Sequence, residues 1–176
     1  MTAVLALAFL LAADPKADEG FTPLLNGKDL SGWQIAAYKD KDKGGESLDK
    51  KSESPTKRYV VKDGVLVIDP AVKGDMVLLT DKKFEKDAHI KFEFKPGKGC
   101  NNDLLFRGLK FDINPDQVKQ IKLDEWNTLE IVAKGEEAEV KVNGESVKKF
   151  KIKGTSQFGI RAEFGPVEIK NIKVKE

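Results

Sequence analysis

The chain has 176 residues, of which 31 are basic and 29 acidic, and its formal net charge is +2. This length is typical of one domain, and the lysines are spread along the chain without a basic cluster, so the charge pattern does not favour nucleic-acid binding. There is one cysteine, Cys100, and one histidine, His89. An intrachain disulfide and a metal site built on several thiolates are therefore excluded.

The first thirteen residues, MTAVLALAFLLAA, are almost wholly apolar and precede a polar stretch. The run is shorter than the ~20 residues that cross a bilayer, but it suits the apolar region of a secretory signal. Residues 1–13 are therefore predicted to be a signal peptide, cleaved after Ala12 or Ala13. The alternative is an N-terminal strand or helix packed on the core. A signal peptide predicts export to the periplasm or the extracellular space, with no membrane span in the mature chain.

Two stretches follow the leader before the regular strands begin. Leu24 and Leu25 are predicted to form a short edge strand, after which Trp33 returns to the core. Residues 39–57 have no hydrophobic periodicity, carry both charges and contain a Gly pair and a Pro. This pattern predicts a long solvated loop, which is either a disordered insertion or a lid over a site.

From Arg58 onward, apolar residues recur with the two-residue period of strands. Strands are predicted at 59–62, 65–69, 76–80, 88–95, on both sides of Gly108, at 157–164, and at 167–174 with a bulge near Asn171. Residues 125–152 predict a three-stranded meander whose second turn is Asn143-Gly144. Residues 118–123 are predicted to be a short strand or a helical turn. No helix of ten or more residues is predicted, and short strands at this spacing favour an antiparallel sandwich of two curved sheets.

Several segments resemble the 3-keto-disaccharide hydrolase domain family, also described as 3-keto-glucoside lyase and glucal hydratase. They read GFTPLLNGKDLSGW, VVKDGVLV, FRG, EWNTLEIVAKG with VNGE, and GPVEIKNIKVKE. The resemblance covers residues 20–176 and implies one all-β domain with a concanavalin-like jelly-roll sandwich of two antiparallel curved sheets. It also implies export from a bacterial cytoplasm and action on sugars.

The family's chemistry indicates which side chains to examine. A ketone at sugar carbon 3 acidifies the hydrogen on carbon 2, so a carboxylate can remove it and the bond at carbon 1 can break by elimination, followed by hydration. Such an enzyme needs a base and a cation that stabilises the enolate oxygen. We predict Asp112 or Glu163 as the base, Arg107 as the oxyanion partner and Glu93 as the proton donor or orienting group. The predicted substrate-binding residues are Lys91, Asn101, Asn102, Asp103, Lys110 and Arg161.

Two segments depart from the family pattern. Where many members read roughly GYEVQI, residues 108–113 read GLKFDI, so a lysine replaces the acid and an aspartate replaces the glutamine. Where members read LQDHG, residues 160–164 read IRAEF, which lacks the amide and the histidine. The predicted active site is therefore either rearranged, with Asp112 and Glu163 taking over, or lost.

Two functions stay open on the sequence alone. The first is an exported enzyme that hydrolyses 3-keto-glycosides by elimination and hydration. The second is a non-catalytic sandwich that binds carbohydrate or protein, in which the candidate charges are cross-strand ion pairs on a solvated face. The predicted ligand is a small sugar. No cofactor is predicted, and the sequence leaves open a divalent metal ion and the oligomeric state.

Overall fold

The computed structural model describes residues 19–69, 71 and 75–176, so the predicted signal peptide at 1–13 lies outside the described residues. The described residues form the following strands: β1 Thr22–Pro23, β2 Trp33–Ala37, β3 Glu46–Ser47, β4 Tyr59–Lys62, β5 Val65–Ile68, β6 Met76–Phe84, β7 Ala88–Pro96, β8 Asn101–Phe106, β9 Leu109–Ile113, β10 Asn127–Lys134, β11 Glu137–Val142, β12 Glu145–Lys151, β13 Ser156–Phe164 and β14 Val167–Lys175. A 3-10 helix spans Tyr38–Lys43. Among the described residues, no helix combines the length and the apolar character that a membrane span requires.

The strands form two antiparallel sheets. An eight-stranded sheet has the order β12-β11-β10-β7-β14-β5-β4, with β1 paired to β14, and a six-stranded sheet has the order β3-β2-β6-β13-β8-β9. Apolar side chains of both sheets form one buried cluster between them. The predicted sandwich of two antiparallel sheets is therefore confirmed.

Strand alternation places the core as the sequence predicts. In β7, Ile90, Phe92 and Phe94 are buried, whereas the intervening residues face outward. Their β10 neighbours are also apolar, because Ile131 pairs with Ile90 and Leu129 with Phe92. Burial of such cross-strand apolar pairs supplies most of the driving force for closing the sandwich.

Two side chains join the sheets at their β4 edge. The Tyr59 hydroxyl is fully buried, lies 2.9 Å from the carbonyl oxygens of Met76 and Ile160, and accepts a hydrogen bond from the N–H of Ala162. Arg58 donates to the carbonyl oxygen of Ala162 at 3.0 Å. These contacts run from β4 of one sheet to β6 and β13 of the other, so they fix the position of β13.

The meander and the bulge are confirmed. Strands β10, β11 and β12 pair in sequence order, and the turn between β11 and β12 has positive φ at Asn143 (51°) and Gly144 (82°). That pair of dihedrals is the one that a two-residue hairpin needs. In β14 the register shifts between Lys170 and Lys173, and Asn171 has φ 55°.

Two local predictions are wrong, and the alternative left open at residues 118–123 is decided by the structure. The first edge strand is Thr22–Pro23 rather than Leu24 and Leu25, whose N–H groups both donate to the carbonyl oxygen of Ile172. Residues 39–57 are not one solvated loop: they contain most of the 3-10 helix and β3, and Leu48 within them is fully buried. Residues 118–123 form a turn, since the N–H of Ile121 donates to the carbonyl oxygen of Val118.

Gly165, between β13 and β14, tests how tightly the chain packs at this end. Its φ is +67°, and a Cβ there would overlap the backbone of Gly99 and Cys100. We expect Gly165→Ala to lower the free energy of unfolding by about 3 kcal/mol, through backbone strain and overpacking together. The control is Gly144→Ala, which has φ +82° but open space around the new Cβ, so strain alone should lower it by about 1 kcal/mol. Equal losses in urea unfolding would contradict the clash.

Candidate active or binding site

A cavity of about 680 Å³ lies over the outward face of the six-stranded sheet. Its walls are residues of the 3-10 helix, the outward side chains of β6, the β8–β9 turn and residues 155–157. The 3-10 helix therefore borders this cavity, in the region where the sequence predicted either a disordered insertion or a lid. The cavity makes this face the candidate functional site.

Two rows of cross-strand partners cross this face from β2 to β9. The first row is Gln34, Leu79, Gly159, Leu105 and Lys110. All of these except Gly159 line the cavity. Gly159, at the centre of the row, has no side chain, and there is little room for one because a Cβ there would lie 2.9 Å from a methyl group of Leu79.

The second row is Ala36, Val77, Arg161, Asp103 and Asp112. Its last three members are charged residues on the adjacent strands β13, β8 and β9. Because residues directly opposite each other in antiparallel strands have neighbouring side chains, the sheet register itself assembles a charged cluster. We call Asp75, Asp103, Lys110, Asp112, Arg161 and Glu163 the charged cluster.

Asp103 is at the centre of the charged cluster, and its side chain has no exposed surface. Its Oδ2 accepts a hydrogen bond from Arg161 Nη1 at 2.8 Å, and its Oδ1 forms an ion pair with Lys110 Nζ at 3.1 Å. Burial raises the pKa of Asp103 to about 6, helped by its hydrogen bond with Asp112 and opposed by Arg161 and Lys110. Below that pH, Asp103 is the protonated partner of a carboxylic acid–carboxylate pair.

Asp112 is the more exposed carboxyl of that pair, with 37% of its side chain exposed. Partial burial alone would raise its pKa, but the hydrogen bonds from Asp103 and Lys110 outweigh burial, so the pKa of Asp112 is lowered. Lys110 Nζ lies 2.6 Å from Asp112 Oδ1. An ionised Asp112 held in this way is a weak base.

Arg161 is ion-paired around its guanidinium group. Nε donates to Asp75 Oδ1 at 2.7 Å, and Nη2 lies 2.9 Å from Glu163 Oε1. The ring of Tyr38 stacks on the guanidinium, with its centre 3.9 Å from the guanidinium carbon. Burial by itself would lower the pKa of Arg161, but the hydrogen bonds with Asp75 and Asp103 raise it further above its usual range. The guanidinium of Arg161 is therefore shared by three carboxyl groups, one of which is Glu163.

Arg107 lies at one end of the cavity, in the β8–β9 turn, with φ 47°. Its side chain is largely buried. Nε donates to the carbonyl oxygen of Gly154 at 2.8 Å, and Nη1 donates to that of Lys86 at 3.1 Å. These contacts anchor the turn to residues 86 and 154. The oxyanion role of Arg107 stays a prediction, with two of its N–H groups already bound to main-chain carbonyls.

Glu93, the predicted proton donor or orienting group, and Lys91, a predicted substrate-binding residue, do not lie with the other candidates. Both are on β7, in the eight-stranded sheet, whereas Arg107, Asp112 and Glu163 belong to the six-stranded sheet or its turns. Glu93 accepts a hydrogen bond from Asn171 at 2.7 Å and pairs with Lys170 at 3.3 Å. The alternation correctly predicts that Glu93 faces outward, but the sheet it belongs to faces the other way.

The two asparagines at the start of β8, Asn101 and Asn102, were both predicted to bind substrate, but neither lines the cavity. Asn101 pairs with Phe164 where β8 begins and β13 ends, and it does not line the cavity. Asn102 is fully buried: its Oδ1 accepts from the N–H of Glu163 at 2.8 Å, and its Nδ2 donates to the carbonyl oxygen of Phe164 at 2.9 Å. Asn102 thus holds the end of β13 and does not face the cavity, which contradicts its predicted sugar contact.

The single histidine and the two tryptophans lie away from the cavity. His89 shares a hydrogen bond of 2.7 Å with Glu130 on the eight-stranded sheet. Trp33 is fully buried, and its indole N–H donates to the carbonyl oxygen of Leu24, whereas Trp126 is exposed beneath the ammonium group of Lys170. No group of three or more His, Cys, Asp or Glu side chains is placed to hold a metal ion within the part of the chain that the structure describes.

Sequence reasoning missed several residues of this face. Tyr38 and Asp75 complete the surroundings of Arg161, and Gln34, Asp81 and Lys83 line the cavity. The sequence does contain a signal for Asp81 and Lys83, because they continue along β6 the two-residue alternation that begins at Val77 and Leu79. The predicted strand ended at residue 80, so the polar half of that alternation was not assigned to the sheet.

The raised pKa of Asp103 has a consequence for stability. Its ordinary value is 3.8 and its folded value is about 6, so between these pH values the folded protein binds more protons than the unfolded chain. The stability contributed by Asp103 therefore falls as the pH rises through this window.

Urea unfolding gives the free energy of unfolding of the wild type and of Asp103→Asn at each pH. We expect the wild-type value minus the variant value to fall by on the order of 1–3 kcal/mol between pH ~4 and ~6, and to stay constant above pH ~7. The variant is the control, since an amide does not titrate there. A difference that is constant, or that grows with pH, would contradict the raised pKa.

Comparison with known proteins identifies relatives of this chain. A family model described as the 3-keto-alpha-glucoside-1,2-lyase-like domain matches residues 20–117 and 110–175. No curated protein sequence matches the chain. A crystal structure from Parabacteroides distasonis, described as a candidate glycosyl hydrolase, is 21% identical with a TM-score of 0.69 and covers 94% of this chain and 97% of its own. A second such structure from that organism is 17% identical, with a TM-score of 0.65 and coverages of 89% and 98%.

The carbohydrate-binding module CBM66 from Bacillus subtilis has the same fold. It is 11% identical, with a TM-score of 0.50, and covers 83% of this chain and 96% of its own. At these identities the structural similarities establish the fold, and they confirm the predicted all-β, concanavalin-like sandwich. The family match covers the charged cluster and most of the cavity wall.

Proposed function

Since this chain belongs to the family of 3-keto-alpha-glucoside-1,2-lyase-like domains, a carbohydrate-related β-sandwich family, we propose that it binds a sugar in the cavity over the six-stranded sheet. The cavity is the observation that supports this most directly. Its volume of about 680 Å³ is within the ~300–1,000 Å³ of small-molecule sites. The proposal includes export, which is supported by the apolar leader at residues 1–13.

The chemistry of the cavity wall suits a sugar ring. Leu79 and Leu105 supply apolar surface from β6 and β8, and Gln34 and Lys110 supply polar groups at the two ends of the same row. A pyranose ring presents C–H groups on its faces and hydroxyl groups around its edge. An apolar floor with a polar rim can therefore bind both parts.

The predicted catalytic carboxylates are either ion-paired or far from the cavity, which favours binding without catalysis. Asp112 and Glu163 are each paired with a cation, at 2.6 and 2.9 Å, and Glu93 is on the other sheet. A general base needs a free lone pair within hydrogen-bond reach of the proton that it removes. At the positions where it departs from the family pattern, this chain instead has carboxylates that are held in ion pairs.

One observation favours a second function, the cleavage of 3-keto-glycosides. The pKa of Asp103 is raised to about 6, and Lys110 both contacts the Asp103–Asp112 pair and lines the cavity. In that reaction the carboxyl pair would take the proton from carbon 2, and the Lys110 ammonium would stabilise the enolate oxygen. The electron pair would then expel the group at carbon 1, which would leave as an alcohol after taking the proton from the carboxyl pair, and water would add across the resulting double bond.

Filling the cavity tests sugar binding. Thr155 is exposed at the cavity wall, so we expect Thr155→Trp to occupy the space and weaken the best sugar ligand at least about tenfold, with little change in stability. Thr56→Trp is the matched control, because Thr56 is an exposed turn residue that does not line the cavity. Isothermal titration calorimetry with sugars selected from a glycan array measures both. Equal affinity in the two variants would overturn the cavity as the site.

Incubation with a 3-keto-disaccharide separates the two functions. We expect no release of monosaccharide above the rate without protein, because the candidate bases are ion-paired. Release that disappears in Asp112→Asn would instead establish the enzyme. The control is Asp116→Asn, whose exposed carboxylate lies outside the charged cluster. Loss of release in both variants would point to a general charge effect and not to the carboxyl pair.

A further inference from the structure

Two cations at one end of the cavity lack a carboxylate partner. Lys83 is exposed near the end of β6, and Arg107 is largely buried in the β8–β9 turn. Among the described residues, neither has an Asp or Glu oxygen within the 4.0 Å of an ion pair. They flank β13 on opposite sides, about 10 Å apart at the main chain by the spacing of strands, since Lys83 pairs with Gln157 and the N–H of Arg107 donates to the hydroxyl of Ser156.

The other cations of the wall are neutralised. Lys41 pairs with Asp42 at 3.2 Å, and Lys43 pairs with Asp40 at 2.7 Å. Lys110 is held in the charged cluster by carboxylates on both sides. The absence of a counter-ion is therefore specific to the end of the cavity formed by Lys83 and Arg107.

The one remaining carboxylate of the wall is directed elsewhere. Asp81 is two residues before Lys83 on β6, but its Oδ1 accepts a hydrogen bond from Gln34 Nε2 at 3.2 Å. Gln34 is on β2, which pairs with β6 on the side away from β13. Asp81 therefore belongs to the β2 side of the cavity, and Lys83 to the β13 side.

Arg107 is fixed in place without being neutralised. Its Nε and Nη1 groups bind the carbonyl oxygens of Gly154 and Lys86, and its Nη2 has no hydrogen-bond partner among the described residues. Only 6% of the residue is exposed. Removing a guanidinium from water without an opposite charge is unfavourable, so an anion that enters the cavity here would be bound by a group that needs no rearrangement.

We propose that the sugar bound in this cavity carries an anionic group, a carboxylate or a sulfate ester, that docks between Lys83 and Arg107. This inference rests on the proposed sugar binding and narrows it to acidic saccharides. A planar guanidinium donates to carboxylate and sulfate oxygens in a fixed geometry, and the flexible Lys83 ammonium supplies the second charge. The neutral polar groups on the β2 side then contact the rest of the sugar.

A glycan array of defined neutral, uronate-containing and sulfated oligosaccharides, probed with the full chain, tests the inference. We expect the strongest signals from acidic glycans, with the uronate and sulfate sets showing which anion is preferred. Titration of the best acidic glycan and of its neutral counterpart should give affinities that differ at least about tenfold. Affinity for the acidic glycan should fall as NaCl is raised from about 20 to about 300 mM.

Two lysine-to-glutamine variants test whether Lys83 binds the anionic group. Lys83→Gln should lower the affinity for the acidic glycan about tenfold and leave that for the neutral counterpart within about twofold. Lys82→Gln is the matched control, because the adjacent Lys82 pairs with Glu176 and does not line the cavity. Both lysines are exposed, so neither substitution endangers folding.

The outcomes distinguish the two proposals. Binding of neutral glycans alone, or equal losses in Lys83→Gln and Lys82→Gln, would overturn the acidic ligand and leave sugar binding intact. No binding of any glycan would overturn both. Acidic glycans that bind with the Lys83 dependence described above would support both.

Discussion

The candidate site depends on one buried ion pair, between Asp103 on β8 and Arg161 on β13. Asp103 has no exposed side-chain surface, so its charge is tolerated only because Arg161 and Lys110 reach it from the strands on either side. A buried carboxylate that lost one of these partners would be strongly unfavourable. The pair therefore ties β13, β8 and β9 into one register, and this register also aligns the row that lines the cavity.

The position of β13 is set in turn by the contacts between the sheets. Tyr59 and Arg58 bind main-chain groups of Ile160 and Ala162 on either side of Arg161, and Asn102 binds the N–H of Glu163. Main-chain contacts on both sides of Arg161 leave its side chain directed outward. The core and the site are thus linked through the alternation of a single strand, whose inward atoms hold the sandwich and whose outward atoms hold the charges.

Most of the fold could be predicted from the sequence because alternation and turn chemistry are local. Asn143-Gly144 and the bulge at Asn171 need only their own dihedrals, and both were correctly predicted. The site could not be assembled in that way. Alternation indicates that Glu93 and Asp112 face outward but not that they belong to different sheets. The contacts of Arg107 with two carbonyl oxygens and the stacking of Tyr38 on Arg161 are long-range facts that no local pattern contains.

The departures from the family pattern form a consistent set in this structure. Lysine at 110 and arginine at 161 are opposed by Asp112, Glu163, Asp75 and the shared Asp103, so the substituted positions compensate one another. The cluster holds four carboxyl groups and only two cations, so Lys110 and Arg161 have no free positive charge for an anionic ligand. The cations of the cavity wall that have no carboxylate partner among the described residues are instead Lys83 and Arg107, at the end formed by β6 and the β8–β9 turn. Ligand recognition on this scaffold is therefore best supported there, at Lys83 and at Arg107 of the FRG segment, and not at the substituted positions 110 and 161.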